Sequence, residues 1–415
     1  MAAEPSYVIV GASLAGAKAA ETLREEGFGG SILLAGAEPE RPYERPPLSK
    51  GYLLGRDDRE SIFVHDAGWY ASHDVDLRVG VRAVRIDRPG RAVELSDGAR
   101  IGYDKLLLSN GASPRSLDVP GDGLDGVLYL RTVQDSERLS AAIRAGGTVV
   151  VAGAGWIGLE TAAAAREFGC EVTVIEPEFG ALIRSIGPEV GRVFTDLHRE
   201  HGVTFRFGES AREFRGAGGR LRAVVTADGA ELPADIAVVG IGVVPNSVLA
   251  EEAGLEVGNG ILTDAMLRTS DPDIYAAGDV ANAFNPLLRR RARVEHWANA
   301  LAGGPAAARS MLGGDAPYDP VPYFYSDQYD LGMETAGLPE PGRYDEIIYR
   351  GDVDAREFIA FWLDRGAVVA GMNVNVWDVN DDIQALIRAG YAGTPADVAR
   401  LADPGVPLSE VLAGR

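Results

Sequence analysis

Sulfur is nearly absent from the reactive side chains of this sequence: among 415 residues there is one cysteine, Cys170. A disulfide within the chain, a CxxC redox pair and a cysteine-ligated metal or iron–sulfur site are therefore excluded. Cys170 sits in Phe-Gly-Cys170-Glu-Val, entering an apolar run, and reads as a small core residue. Positive charge is also scarce, with 40 Lys and Arg against 61 Asp and Glu and a net charge of −21. That balance argues against nucleic acid and anionic membrane as partners. No basic segment precedes the first apolar run at Tyr7–Val10, so a signal peptide is not expected and a cytoplasmic location is. Residues 147–166 come nearest to a membrane span, but glycines and Glu160 interrupt them. Low-complexity tracts are missing too.

What is present is a doubled motif. Tyr7-Val-Ile-Val10 reads as a buried parallel strand. It runs into Gly11-Ala-Ser13-Leu-Ala15-Gly16 and then an alanine-rich helix. Strand, glycine turn and helix form a dinucleotide-binding fingerprint, in which the helix N-terminus attracts a pyrophosphate. Its middle glycine is replaced by Ser13, which crowds the approach but brings a hydroxyl. The next strand, Ser31–Ala35, is followed by Glu38, the best candidate for holding a ribose hydroxyl. The second copy, Gly153-Ala-Gly155-Trp-Ile157-Gly158, has all three glycines, with Glu160 expected in the first turn of the helix. Glu176 ends the strand that follows, roughly twenty residues beyond Gly153, where an acid accepts from a ribose 2′-OH and repels a 2′-phosphate. The second site should favour NADH over NADPH.

Between the copies, residues 41–55 form a proline-stiffened loop expected to expose Arg41, Arg45, Ser49 and Lys50. His198 and His201 stand three apart on a helix; a metal is conceivable, but without an acidic or cysteine partner a solvated helix face is expected. Asp279 closes the short strand of Ile274-Tyr-Ala-Ala-Gly-Asp279, where a carboxylate suits a polyol hydroxyl and an N-cap or turn aspartate is the alternative. Arg289, Arg290, Arg291 and Arg293 are the dense basic run. From Tyr318 onward β-alternation and terminal helices suggest a separate α+β domain.

Several marks then coincide: Arg45-Pro-Pro-Leu-Ser-Lys50, the two fingerprints, Ile274–Asp279, Glu295-His-Trp297, Ser326-Asp-Gln-Tyr329 and Asn373-Val-Asn-Val-Trp-Asp378. Together these resemble the FAD-dependent ferredoxin reductases of bacterial oxygenase systems, which are also similar to apoptosis-inducing factor. The resemblance implies an α/β fold with two Rossmann-like dinucleotide domains plus a C-terminal α+β domain. The expected division is an FAD domain at 1–112 and 243–317, an inserted NAD domain at 113–242 and an interface domain at 318–415. It implies FAD contacts from Arg45, Lys50, Arg131 and Asp279, a Lys50–Glu160 pair beside the flavin and Trp297 near its ring. Ala15, Ala83, Gly111, Ile157 and Gly242 complete the candidate cofactor-binding set, and no metal is expected. The acidic ribose position of the family falls on Ala37, which leaves Glu38 to substitute.

The expected activity is an NADH-dependent flavoprotein reductase that passes electrons through FAD to a ferredoxin-type iron–sulfur protein, feeding an oxygenase such as a cytochrome P450. Alternatives are a rubredoxin, quinone or oxygen acceptor, or a redox-sensing NADH-binding flavoprotein. An acidic ferredoxin would be repelled by the net charge, so docking falls to the arginines at 289–293. A monomer or homodimer is expected.

Overall fold

A computed structural model describes residues 4–412. They divide into two compact units, one of Met1–Glu44, Arg59–Ser113 and Val244–Pro322, the other of Arg45–Asp58, Pro114–Val243 and Tyr323–Arg415.

The first unit is built on a five-stranded parallel sheet, in the order Ile274–Ala276, Lys105–Leu108, Ser6–Val10, Ser31–Ala35, Val75–Arg78. Central strands of such a sheet are covered on both faces and so read as unbroken apolar runs. Val8, Ile9, Leu106, Leu107 and Leu108 are fully buried accordingly. The fingerprint helix Leu14–Glu25 packs along the helix Trp297–Met311. Small residues make that approach possible: a Cβ on Gly304 would lie 2.2 Å from the carbonyl oxygen of Ala15.

The second unit repeats the plan. Its parallel sheet runs Thr204–Phe207, Glu171–Glu176, Thr148–Ala152, Ile236–Val239, Val127–Tyr129. In each unit a three-stranded antiparallel sheet is inserted between two strands of the parallel sheet: residues 83–102 between Val75–Arg78 and Lys105–Leu108, and residues 211–233 between Thr204–Phe207 and Ile236–Val239. The edge strands differ in origin, since Ile274–Ala276 enters late in its unit and Val127–Tyr129 early. The rest of the second unit is a five-stranded antiparallel sheet, Tyr323–Gln328, Leu331–Gly337, Ala367–Val374, Glu357–Asp364, Glu346–Asp352, covered by the helix Asn380–Tyr391. Its core is Phe358, Phe361 and Trp362, all fully buried.

One expectation changes. The 41–55 segment is not an extended loop: Pro46–Ser49 is a 3-10 turn and Gly51–Leu54 a helical turn, because consecutive prolines preset the helical φ. The histidine-bearing helix starts at Ile183 but breaks at Gly187, where φ is +81°, before running regularly from Pro188. Cys170 is buried as expected, its thiol donating to the Ile143 carbonyl.

Candidate cofactor and electron-transfer sites

In the first unit the glycine turn is dictated by the chain's own backbone. Gly11 has φ +120°, and a Cβ there would come 2.3 Å from the Ser109 carbonyl carbon. A Cβ on Gly16 would lie 2.1 Å from the carbonyl oxygen of Gly11. Ser13 stands at the helix N-cap with φ −130° and ψ −166°, an extended conformation open to any residue, and its side chain makes no cap bond. The serine is therefore unstrained, and its hydroxyl lies at the end of the helix where anions bind. Ala15, behind it, packs against Gly278. Glu38 lies three residues past the strand end and accepts from the Tyr43 hydroxyl. Gly111 has φ +65° and its carbonyl accepts from the Asn246 N–H, while Ala83 opens the strand Ala83–Asp87. Asp279 sits half-buried in the turn Gly278–Val280. Trp297 is the first residue of its helix, and its side chain acts on the Glu44 carboxyl. Burial raises the Glu44 pKa, against the opposing pull of Trp297 and of Lys18.

In the second unit Gly153 has φ +106°, and a Cβ would reach the Gly240 carbonyl oxygen at 2.4 Å. Gly158 is as tightly held, 2.1 Å from the Gly153 oxygen. Gly155 is different: φ is −80° and ψ −178°, and an added Cβ would meet nothing within 4 Å. Neither conformation nor packing demands a glycine there, which leaves open space before the helix Trp156–Glu167, the shape a pyrophosphate needs. Ile157 is 41% exposed on the same turn, and Gly242, at φ +96°, also faces open space. Glu176 closes the arrangement, Oε2 accepting from the Ala154 N–H at 2.8 Å and Oε1 from the Glu178 N–H at 3.0 Å. Each oxygen keeps a lone pair for a sugar hydroxyl. The chain's residues thus fit a dinucleotide in either unit.

The Arg45–Asp58 segment is strapped to the helix Val133–Arg144. Ser136 donates to the Leu48 carbonyl and Ser140 to that of Leu53, each at 2.8 Å. Arg45 donates to the carbonyl of Arg131, which brings those two cations together just before that helix. The same strap delivers Lys50 to Glu160, Nζ to Oε1 at 2.7 Å, with side chains 16% and 2% exposed. Glu160 is the fifth residue of its helix, one past the first turn, which aims it inward. Ser49 is 5% exposed, contrary to expectation, because its hydroxyl donates to Glu160 Oε2. Ser326 donates to Oε1 at 2.7 Å. Three donors around one carboxylate compensate its loss of water. Neither serine had a role in the sequence reading, although both lie in quoted motifs; hydroxyls carry no periodic signature.

Of the basic run, Arg293 turns inward onto Asn259 and Glu295, its side chain 10% exposed. Arg291 is exposed yet reaches the Asn282 carbonyl, Arg290 is half-buried and Arg289 exposed. His198 is fully buried, not on a solvated face.

Comparison with known proteins gives one answer. Residues 5–304 match the family described as pyridine nucleotide-disulphide oxidoreductase, and residues 323–412 match a reductase C-terminal domain. The anthranilate 1,2-dioxygenase system ferredoxin–NAD(+) reductase component of Burkholderia cepacia is 43% identical over 413 residues, 99% of this chain and 100% of that one. The crystal structure of the ferredoxin reductase for the CYP199A2 system of Rhodopseudomonas palustris superposes with a TM-score of 0.93 at 37% identity, covering 98% and 99% of the two chains. Putidaredoxin reductase, in its covalent complex with putidaredoxin, gives 0.92 at 37% identity and 98% coverage of each.

Proposed function

The chain belongs to the pyridine nucleotide-disulphide oxidoreductase family, and on that premise we propose an FAD-dependent NADH:ferredoxin oxidoreductase that feeds an oxygenase system. The observation that carries this is two complete dinucleotide folds in a chain whose single cysteine is buried. The dithiol relay in the family's name needs two cysteines, so electrons taken from NADH leave through the flavin. Bound FAD supplies the hydride acceptor and the conversion to single-electron transfer.

The protein's share is placement and charge. In this reading Gly11, Ser13, Gly16, Glu38, Gly111 and Asp279, with Ala15 and Ala83, line the FAD half-site of the first unit. Arg45 and Arg131 are the cations this reading gives to FAD. Gly153, Gly155, Ile157, Gly158, Glu176 and Gly242 hold NADH, and Glu176 disfavours a 2′-phosphate. Lys50, oriented by Glu160, supplies positive potential for the negative charge that hydride transfer delivers. Trp297 supports the flavin ring. The matching domain division is 1–112 with 243–317 for FAD, 113–242 for NAD and 318–415 for the interface domain.

The partner is a ferredoxin-type iron–sulfur protein, docked through Arg289, Arg290 and Arg291, with Arg293 fixing the end of the run. Neutralising the first three should flatten the salt dependence of ferredoxin reduction; an unaltered slope removes them from the interface. Anaerobic stopped-flow tests the activity itself. NADH should bleach the flavin, and a [2Fe–2S] ferredoxin should restore its colour faster than oxygen does. Lys50→Ala should slow bleaching about tenfold or more with NADH binding intact. A protein that refuses FAD and leaves NADH unoxidised overturns the reading.

A further inference from the structure

The Lys50–Glu160 pair has a buried extension that the chemistry above does not use. Ser326 and Gln328 lie two apart on the strand Tyr323–Gln328, hence on one face, and are 0% and 2% exposed. Gln328 Nε2 donates to Ser326 Oγ at 3.1 Å. Gln328 Oε1 lies 2.8 Å from Nε2 of the fully buried His198. The other imidazole nitrogen, Nδ1, faces the Tyr329 hydroxyl at 3.4 Å, and Tyr329 is stacked on the ring of His201.

Simple counting of hydrogens gives this string one direction. An ionised carboxylate only accepts, so the single proton of Ser326 is spent on Glu160. Ser326 must then accept from the amide nitrogen of Gln328, which turns the amide oxygen toward His198. That oxygen can only accept, so His198 must carry its proton on Nε2 and leave Nδ1 as an acceptor for Tyr329. Every donor points toward Glu160. The bond to Gln328 favours a charged imidazole, but burial outweighs it and holds His198 neutral, lowering its pKa to about 4.

We propose that Ser326, Gln328 and His198 are positioning residues for the electron-transfer site: the string locks the Glu160 carboxylate, and through it the Lys50 ammonium. This rests on the function proposed above, but part of its test does not. Histidine-selective 15N NMR of the full-length protein should show one ring in the Nε2–H form that does not titrate above about pH 5. That signal should vanish in His198→Gln. In Ser326→Ala and Gln328→Met the signal should shift, and flavin reduction by NADH should slow about tenfold at unchanged NADH affinity. Ser326→Thr, which keeps a hydroxyl, should recover most of that rate.

An Nδ1–H or freely titrating His198 overturns the string outright. Reduction rates within about twofold of the parent in both the Ala and Met variants overturn its positioning role. Both outcomes are distinct from failure to bind FAD or oxidise NADH, which would sink the function while the NMR readout still stands. Should Gln328→Met fold poorly, the Ser326→Ala and Ser326→Thr pair decides alone.

Discussion

The two fingerprint turns differ at their middle position, and the difference separates what the fold needs from what a ligand needs. First and third glycines are equivalent in both: Gly11 and Gly153 have positive φ, and Gly16 and Gly158 each leave 2.1 Å between an added Cβ and a carbonyl oxygen. Ser13 and Gly155 both hold extended backbone that tolerates any side chain. The outer glycines are thus fixed by packing, while the middle one answers to the bound molecule. The acids diverge in the same way. Glu176 is the last residue of its strand and bonds the glycine turn itself, whereas Glu38 lies beyond its strand and bonds Tyr43.

Enlarging one glycine at a time tests this distinction most directly. Gly158→Val should cost roughly 3 kcal/mol or more, read as a large fall in melting temperature, because the added atoms meet backbone. Gly155→Val should melt like the parent yet lose NADH affinity about tenfold or more, measured by titration. Equal destabilisation of the two variants would erase the distinction.

Next in size is a feature of the second unit, the neutral buried His198. Its folded pKa, about 4, lies below the ordinary 6.5, so the unfolded chain binds the extra proton first. Its contribution is complete above pH 6.5 and is lost as pH falls toward about 4, amounting to roughly 3 kcal/mol. Urea unfolding between those limits should show this slope, and His198→Gln should lessen it.

Smaller effects follow at the acids and at Ser13. Glu176→Ala should narrow the NADH over NADPH preference in kcat/KM by about tenfold, or ~1.4 kcal/mol, while Glu38→Ala leaves it unchanged. A shift from the Glu38 variant would reverse the assignment of the two sites. Ser13→Gly should change the melting free energy by less than about 1 kcal/mol, slightly downward through glycine's extra unfolded freedom.

Much of the fold was readable beforehand because apolar periodicity is local. The strands Ser31–Ala35, Lys105–Leu108 and Ile236–Val239 end where their apolar runs end. The strand Ala211–Ala217 escaped notice, being mostly polar and held by its antiparallel neighbour. His198 looked like a surface residue because its helix gives no local sign of which face the later strand Tyr323–Gln328 will cover.

The two glycine turns, the absence of a sulfur relay and the family were legible from residues close in the chain or from simple counts. Long-range folding alone brings Lys50, Ser49 and Ser326 onto Glu160 and sets His198 behind them. Those contacts join strands and helices more than a hundred residues apart. Burial, which sets how strongly such charges and hydroxyls interact, exists only once the chain has closed around them.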